Sequence, residues 1–204
     1  MIVTGFSEFP GVKANPTGLL MQRWQKKSPS WASRNAIFEV LPVEYKKSER
    51  CIRELVANAE EETFLMLGVS GKGPAIQLER FALNVDDAQI PDTAGDQREG
   101  RRIVDSGPIA LEVSYELSDL KKNLQMQGVE VSVSNHAGAY VCNHCYYSAL
   151  LAARDLTTRA KPLFVHVPLV SATIDSQVEM EKYLVDLEVQ IGRVISELRG
   201  LQIA

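Results

Sequence analysis

Thr63-Phe64-Leu65-Met66-Leu67-Gly68-Val69 is apolar without alternation from Phe64 to Leu67. A strand with one wet face alternates apolar and polar residues, whereas an unbroken apolar run marks a strand covered on both faces. Such a sheet needs helices on each side, and the flanking sequence supplies them. Upstream, Tyr45 to Glu60 is amphipathic, with Ile52, Leu55 and Val56 at helical spacing. Before it, Ala36 to Leu41 reads as a strand stopped by Pro42, Thr17 to Gln25 as a helix, Pro10 to Pro16 as a loop, and Ile2 to Phe6 as a first strand. Downstream, Ile76 to Asn84 looks extended and Pro91 to Pro108 reads as an ordered Asp-, Gly- and Arg-rich loop. Leu111 to Tyr115 is a weak strand, Leu117 to Gln127 a helix stopped at Gly128, and Val129 to Val133 a strand. Tyr140 to Arg154 follows as a helix, Pro162 to Val167 as a strand and Val178 to Leu198 as a long closing helix. Alternation of this kind predicts an α/β fold, a three-layer α/β/α sandwich around a mostly parallel twisted sheet.

Composition agrees with a single domain over residues 1–204, 45% hydrophobic and 24% charged. A net charge of −4, with Lys26-Lys27 and Arg101-Arg102 as the short basic runs, argues against nucleic acid as a partner. No apolar run approaches the roughly 18–20 residues of a membrane span, so no membrane partner is expected. MIVTGFSEF has neither a basic leader nor a long apolar core and reads as a buried strand. Cys51, Cys142 and Cys145 cannot form a disulfide framework and are expected to be reduced thiols in a cytoplasmic protein.

Ligands of such sheets collect where strands end and helices begin. Four segments of that kind carry polar chemistry: Thr4–Asn15, Gly68–Glu79, Ser134–Cys142 and His166–Ser171. Cys142 closes the run Val131-Ser132-Val133-Ser134-Asn135-His136-Ala137-Gly138-Ala139-Tyr140-Val141-Cys142, in which a strand ends, a small-residue loop turns and a helix opens. A thiol in the first helical turn faces unpaired N–H groups and the positive end of the helix dipole, which favour thiolate. The same N–H groups can bind an oxyanion. The plainer reading is a small buried residue. Cys145, one turn on, is expected to pack inward, and Cys51 to be structural.

Of the three histidines, His166 ends the apolar run Leu163-Phe164-Val165-His166 and is placed to face a cleft; a satisfied core histidine is the alternative. His144 sits two positions after Cys142 on the same helix, where side chains point apart. His136 is a loop histidine that could approach. A Cys–His pair needs a third group to fix the imidazole. Glu79, in the largely apolar Ala75 to Leu83, is the candidate, unless it pairs with Arg80. Asp86, Asp87 and Asp92 compete, but clustered loop acids more often form turns or face solvent. Cys142-Asn143-His144-Cys145 is also a C-x-x-C, compatible with a thiol-disulfide centre. No second such pair exists to complete a zinc site, so no metal is expected.

Together four segments resemble the pyroglutamyl peptidase I (pyrrolidone-carboxylate peptidase) family. They are Thr4-Gly5-Phe6-Ser7-Glu8-Phe9 with Asn15-Pro16; Glu79-Arg80 through Asn84 to Ile90-Pro91-Asp92; Ser134-Asn135-x-Ala137-Gly138-x-Tyr140-Val141-Cys142-Asn143; and His166-Val167-Pro168. They follow the family's order from position 4 to 168. The resemblance implies a cysteine exopeptidase releasing pyroglutamate from pyroglutamyl peptides, with Glu79, Cys142 and His166 as catalytic triad. It also implies a pyrrolidone slot lined by Phe6, Phe9, Ile90, Tyr140 and Val141, no metal or cofactor, and a homo-oligomer, dimer or tetramer. Asn15 is expected to hold the Thr4–Pro16 loop. The sequence departs from the family at Gln89, where arginine near the catalytic centre is usual, so that Gln89 would be an uncharged donor there. Other departures are Thr93 for asparagine, Gly68-Val69-Ser70-Gly71-Lys72-Gly73 for a G-x-A-G-G run, and Pro10-Gly11 for two glycines. Two alternatives stand beside the peptidase: a catalytically weakened family member, and a thiol-disulfide oxidoreductase using Cys142 and Cys145.

Overall fold

The computed structural model describes residues 1–156, 158–169 and 176–200. Strand β1 (Ile2–Phe6) leads to α1 (Pro16–Lys26), then β2 (Ile37–Leu41), α2 (Tyr45–Ala57) and β3 (Thr63–Ser70). Two short strands follow, β4 (Ile76–Glu79) and β5 (Phe81–Leu83), then β6 (Ala110–Glu112), α3 (Leu117–Met126), β7 (Val131–Ser134), α4 (Val141–Asp155), β8 (Lys161–Pro168) and α5 (Gln177–Gly200). The main sheet has the order β2-β1-β3-β8-β4-β7. Every neighbouring pair is parallel except β4 with β8.

The unbroken apolar run of β3 works as its composition requires. Leu65 and Leu67 face one core with Leu163, Val165, Trp24 of α1, Leu120 of α3 and Ile191 of α5. Phe64 and Met66 face a second core with Phe164, Ile52 of α2 and Tyr146 of α4. The sheet therefore separates α1, α3 and α5 from α2 and α4, the three-layer sandwich read from the sequence.

One strand expectation changes in detail. The extended stretch Ile76 to Asn84 is not one strand but two. At Arg80 the chain leaves the main sheet, its N–H donating to the Ser134 carbonyl and its carbonyl accepting from Val113, and β5 then pairs with β6 in a separate ribbon. Of the segment His166–Ser171, residues 170 and 171 lie outside the described residues, as do residues 201–204 of the expected domain.

The loop after β1 is pinned from α1. Asn15 caps that helix: its Oδ1 accepts from the Thr17 N–H and hydroxyl at 3.1 and 2.9 Å, while its Nδ2 donates to the Ser7 carbonyl at 3.0 Å. Gly18 is needed for the approach, because a Cβ there would stand 2.4 Å from the Phe6 carbonyl oxygen. The polar loop 84–108, though largely exposed, is ordered by a few buried polar side chains. Asn84 bonds the N–H groups of Ile103 and Val104 and the Val104 carbonyl. Buried Asp92 accepts from the N–H groups of Tyr45, Ala94 and Asp96.

Asp86, fully buried, corrects the expectation of a solvated or turn-forming acid. It accepts from Arg98 Nη1 at 2.7 Å and from His144 Nδ1 at 2.9 Å. Arg98, whose role no motif signalled, also lies 4.0 Å over the Tyr45 ring and pairs with Asp96. His144 Nε2 is 3.5 Å from Glu49. Burial works against charge on His144, but the bonds and charge of Asp86 and Glu49 outweigh it and raise its pKa above the usual 6.5. The His144 bond conversely holds Glu49 below 4.5 against desolvation. A raised histidine contributes stability fully present below pH 6.5 and lost as pH rises through the raised value. A depressed glutamate contributes stability present above pH 4.5 and lost as pH falls through the lower value. Thermal melts across pH should therefore show a midpoint that declines above pH 6.5, and a shallower decline in His144→Asn; an identical slope in the variant would contradict the assignment.

Candidate active site

The C-terminal ends of β1, β3 and β8 and the start of α4 enclose a cavity of about 350 Å³. Phe6 lines it from the end of β1 and Phe9 from the loop that follows, Val43 from the end of β2, and Val69, Ser70, Gly71 and Lys72 from the end of β3. Ala137, Gly138, Tyr140, Val141 and Cys142 come from the β7–α4 turn, and His166 from β8. The walls are mostly apolar with a few polar groups among them, the composition of a site for a small, largely neutral ligand.

His166 and Glu79 meet because β4 runs against β8. In that antiparallel pair Gln77 lies opposite His166, so Glu79, two residues on, is the diagonal neighbour on the same face. His166 Nδ1 stands 2.6 Å from Glu79 Oε1, and both side chains are almost wholly buried. The pairing with Arg80 that the sequence left open is not made. With Nδ1 held by a carboxylate, Nε2 is the nitrogen free to exchange a proton.

Cys142 lies in the first turn of α4. The cap residue Tyr140 gives that turn no side-chain hydrogen bond, so its N–H groups are available to a ligand. The turn is held from behind by Asn143, whose Oδ1 accepts from the Leu83 N–H at 2.8 Å and whose Nδ2 donates to the Leu83 and Val85 carbonyls. Gly68 fixes how near the sulfur comes to the sheet. A Cβ there would stand 3.0 Å from Cys142 Sγ and 2.8 Å from the Phe164 ring, and Gly68 is the strand partner of His166. The sulfur is thus laid against the backbone beside the histidine. Gly68 was legible only as part of a glycine-rich run.

One electrostatic expectation is overturned. The helix start was expected to favour thiolate, but desolvation, followed by the negative charge of Glu79, pushes the Cys142 thiol up to about 12, and the backbone N–H offsets this only in part. Burial and that charge thus favour the neutral thiol of Cys142. Burial likewise raises Cys145, which is fully buried one turn further in.

Phe6, Phe9, Tyr140 and Val141 line the cavity as expected, with the Tyr140 hydroxyl donating to the Pro91 carbonyl at 3.0 Å. Ile90 and Gln89 do not. Ile90 is 44% exposed and Gln89 is also exposed, on a loop tied down at Asp92 that meets the lining residues Tyr140 and Val43 through the Pro91 carbonyl and Thr93. His136 is exposed, its Nδ1 accepting from the Gly138 N–H. His144 belongs to the Asp86 cluster, as the angular argument on the helix required. Among the described residues no group of three or more His, Cys, Asp or Glu side chains could hold a metal ion.

The sequence model of the pyroglutamyl peptidase family matches residues 1–196. A pyrrolidone-carboxylate peptidase of Bacillus cereus is 31% identical over 170 residues, 83% of this chain and 78% of that protein. A mutant pyrrolidone carboxyl peptidase of the hyperthermophile Pyrococcus furiosus superposes with a TM-score of 0.80 at 27% identity, covering 97% of this chain and 98% of the other. The pyrrolidone carboxyl peptidase of the keratin-degrading Fervidobacterium islandicum superposes with a TM-score of 0.79 at 30% identity, over 93% of this chain and 95% of its own. Match over nearly the whole chain, in sequence and in fold, places this protein in the pyroglutamyl peptidase family of cysteine peptidases.

Proposed function

We propose that this chain hydrolyses the bond after an N-terminal pyroglutamyl residue, with Cys142 as nucleophile, His166 as acid–base group and Glu79 as the group that orients it. The observation that carries the reading is the buried 2.6 Å contact of Glu79 with His166, on the wall of the cavity that Cys142 also lines. Since the resting sulfur is a thiol, His166 Nε2 takes its proton as Sγ attacks the carbonyl carbon. The charge that develops on the carbonyl oxygen faces the N–H groups of the first turn of α4. The imidazolium, stabilised by Glu79, then protonates the leaving amine as the C–N bond breaks. Water, deprotonated by the same nitrogen, attacks the thioester, and pyroglutamate and the thiol are released.

The pyrrolidone ring fits among Phe6, Phe9, Val43, Tyr140 and Val141, where a neutral lactam loses little by desolvation and an N-terminal glutamate would lose two charges' hydration. The thiol-disulfide alternative leaves the Glu79–His166 pair without a task and needs a sulfur, Cys145, that is fully buried. As for a weakened enzyme, Gln89 is exposed and does not line the cavity.

We extend the same reading to the surroundings of the site. Val178, Val185 and Val189 are exposed on α5 at spacings of seven and four residues, a stripe suited to self-association into a dimer or tetramer. The three free thiols suit the cytoplasm. Among the described residues no helix is long and apolar enough to cross a membrane.

A pyroglutamyl amide with a fluorogenic leaving group tests the assignment directly. Wild type should cleave it and reject glutaminyl, glutamyl and prolyl analogues, and Cys142→Ser should be inactive; equal rates across that panel, or an active serine variant, would defeat it. Iodoacetamide labelling of Cys142 should quicken about ten-fold per pH unit from neutrality upward, since the thiolate fraction rises that way below a raised pKa; a plateau between about pH 6 and 8 would mean a preformed ion pair. Gly68→Ala should lower kcat/KM roughly ten- to a hundred-fold by displacing the sulfur, with the far-ultraviolet circular dichroism unchanged.

A further inference from the structure

We infer that Lys72 selects peptides that carry a carboxylate on the residue following pyroglutamate, either as an Asp or Glu side chain or as the free C-terminus of a pyroglutamyl dipeptide. The inference rests on the site reading above and adds the chemistry of the leaving residue. Among the described residues that line the cavity there is no aspartate or glutamate, and Lys72 is the one permanent charge. It is exposed at the rim and makes no ion pair with any described residue. The one carboxylate nearest the chemistry, Glu79, is buried behind His166 and committed to it.

Position decides which part of the substrate Lys72 meets. The apolar slot is built from the ends of β1 and β2 and from α4, on one side of the sulfur. His166 protonates the departing amine, so the leaving residue must lie on the His166 side. The end of β3 borders that side: Gly68 is paired with His166 and Ser70 with Pro168. Lys72 follows two residues later, its backbone N–H donating to the Ser70 hydroxyl at 3.3 Å, and it lines the cavity while exposed, which puts it at the rim on that side. A long flexible cation there reaches a carboxylate one residue past the scissile bond. It does not serve the pyrrolidone ring, which is neutral.

The effect of an exposed pair is modest. The ratio of kcat/KM for pyroglutamyl-glutamate amide, or for free pyroglutamyl-alanine, over pyroglutamyl-alanine amide should be roughly two- to five-fold in wild type at low salt. It should shrink towards one near 1 M salt, where screening acts within about 3 Å. In Lys72→Gln the ratio should fall to about one. In Lys72→Glu it should invert, with pyroglutamyl-lysine amide the best substrate. The side-chain and C-terminal arms, run separately, tell which carboxylate is read. A ratio that is the same in wild type and both variants, or a wild-type preference insensitive to salt, would overturn the inference. The uncharged fluorogenic amide is run alongside: if wild type does not cleave it, the peptidase reading itself fails; if it does, a flat ratio indicts Lys72 alone. Thermal melts of both variants check folding, and the wild-type salt dependence stands whether or not they fold.

Discussion

The site depends on one buried contact, Glu79 Oε1 to His166 Nδ1 at 2.6 Å, and that contact depends on a single antiparallel pairing. Had β4 joined β8 in parallel, like the other strand pairs, its end and the end of β8 would have been held in a different register. Reversed, β4 brings a glutamate diagonally across from a histidine on the face that carries α4. A carboxylate in such surroundings must be paired, because an isolated buried charge costs several kcal/mol. The histidine supplies the pairing and is in turn fixed in tautomer and orientation. The second carboxylate oxygen, Glu79 Oε2, has no hydrogen-bond partner among the described residues, so His166 is the principal polar tie on this side chain there.

The position of Cys142 is set by packing more than by charge. Gly68 lets the sulfur lie against the sheet, Phe164 backs it, and Asn143 stitches the first turn of α4 to β5. The helix start lowers the thiol's pKa only in part, since burial and the Glu79 charge act against it and win. What the helix start retains is first-turn N–H groups without a side-chain cap, which matter when a carbonyl becomes an oxyanion. On the proposed reading, activation of the sulfur then falls to the histidine, whose own orientation comes from Glu79.

Behind this chemistry lies a second buried polar cluster, Asp86 with Arg98 and His144, which has no access to the cavity. It ties the loop 84–108 to the helix that carries Cys142, with Tyr45 under Arg98 and beside His144. Such a network sets the position of α4 at the cost of desolvating its charges, which explains why so polar a loop is ordered.

The chain determined its layers through composition. A strand apolar on both faces at Phe64 to Leu67 needs helices on either side, and the periodicity of Ile52, Leu55 and Val56 identifies one of them; both signals are local and survive in any tertiary context. Cys142, His166 and Glu79 were legible because each sits at an element boundary within a recognisable run. Partners were another matter. Nothing local distinguishes an acid that faces solvent from Asp86 buried between Arg98 and His144, since these residues are 12 and 58 positions apart and meet only when the loop folds onto α4. Nor does local sequence state that Ile76 to Asn84 breaks at Arg80, that β4 runs antiparallel, or that Ile90 and Gln89 turn outward. The state of the thiol was misjudged for the same reason: dipole and helix position are read from sequence, whereas desolvation is a property of what the rest of the chain packs around the sulfur.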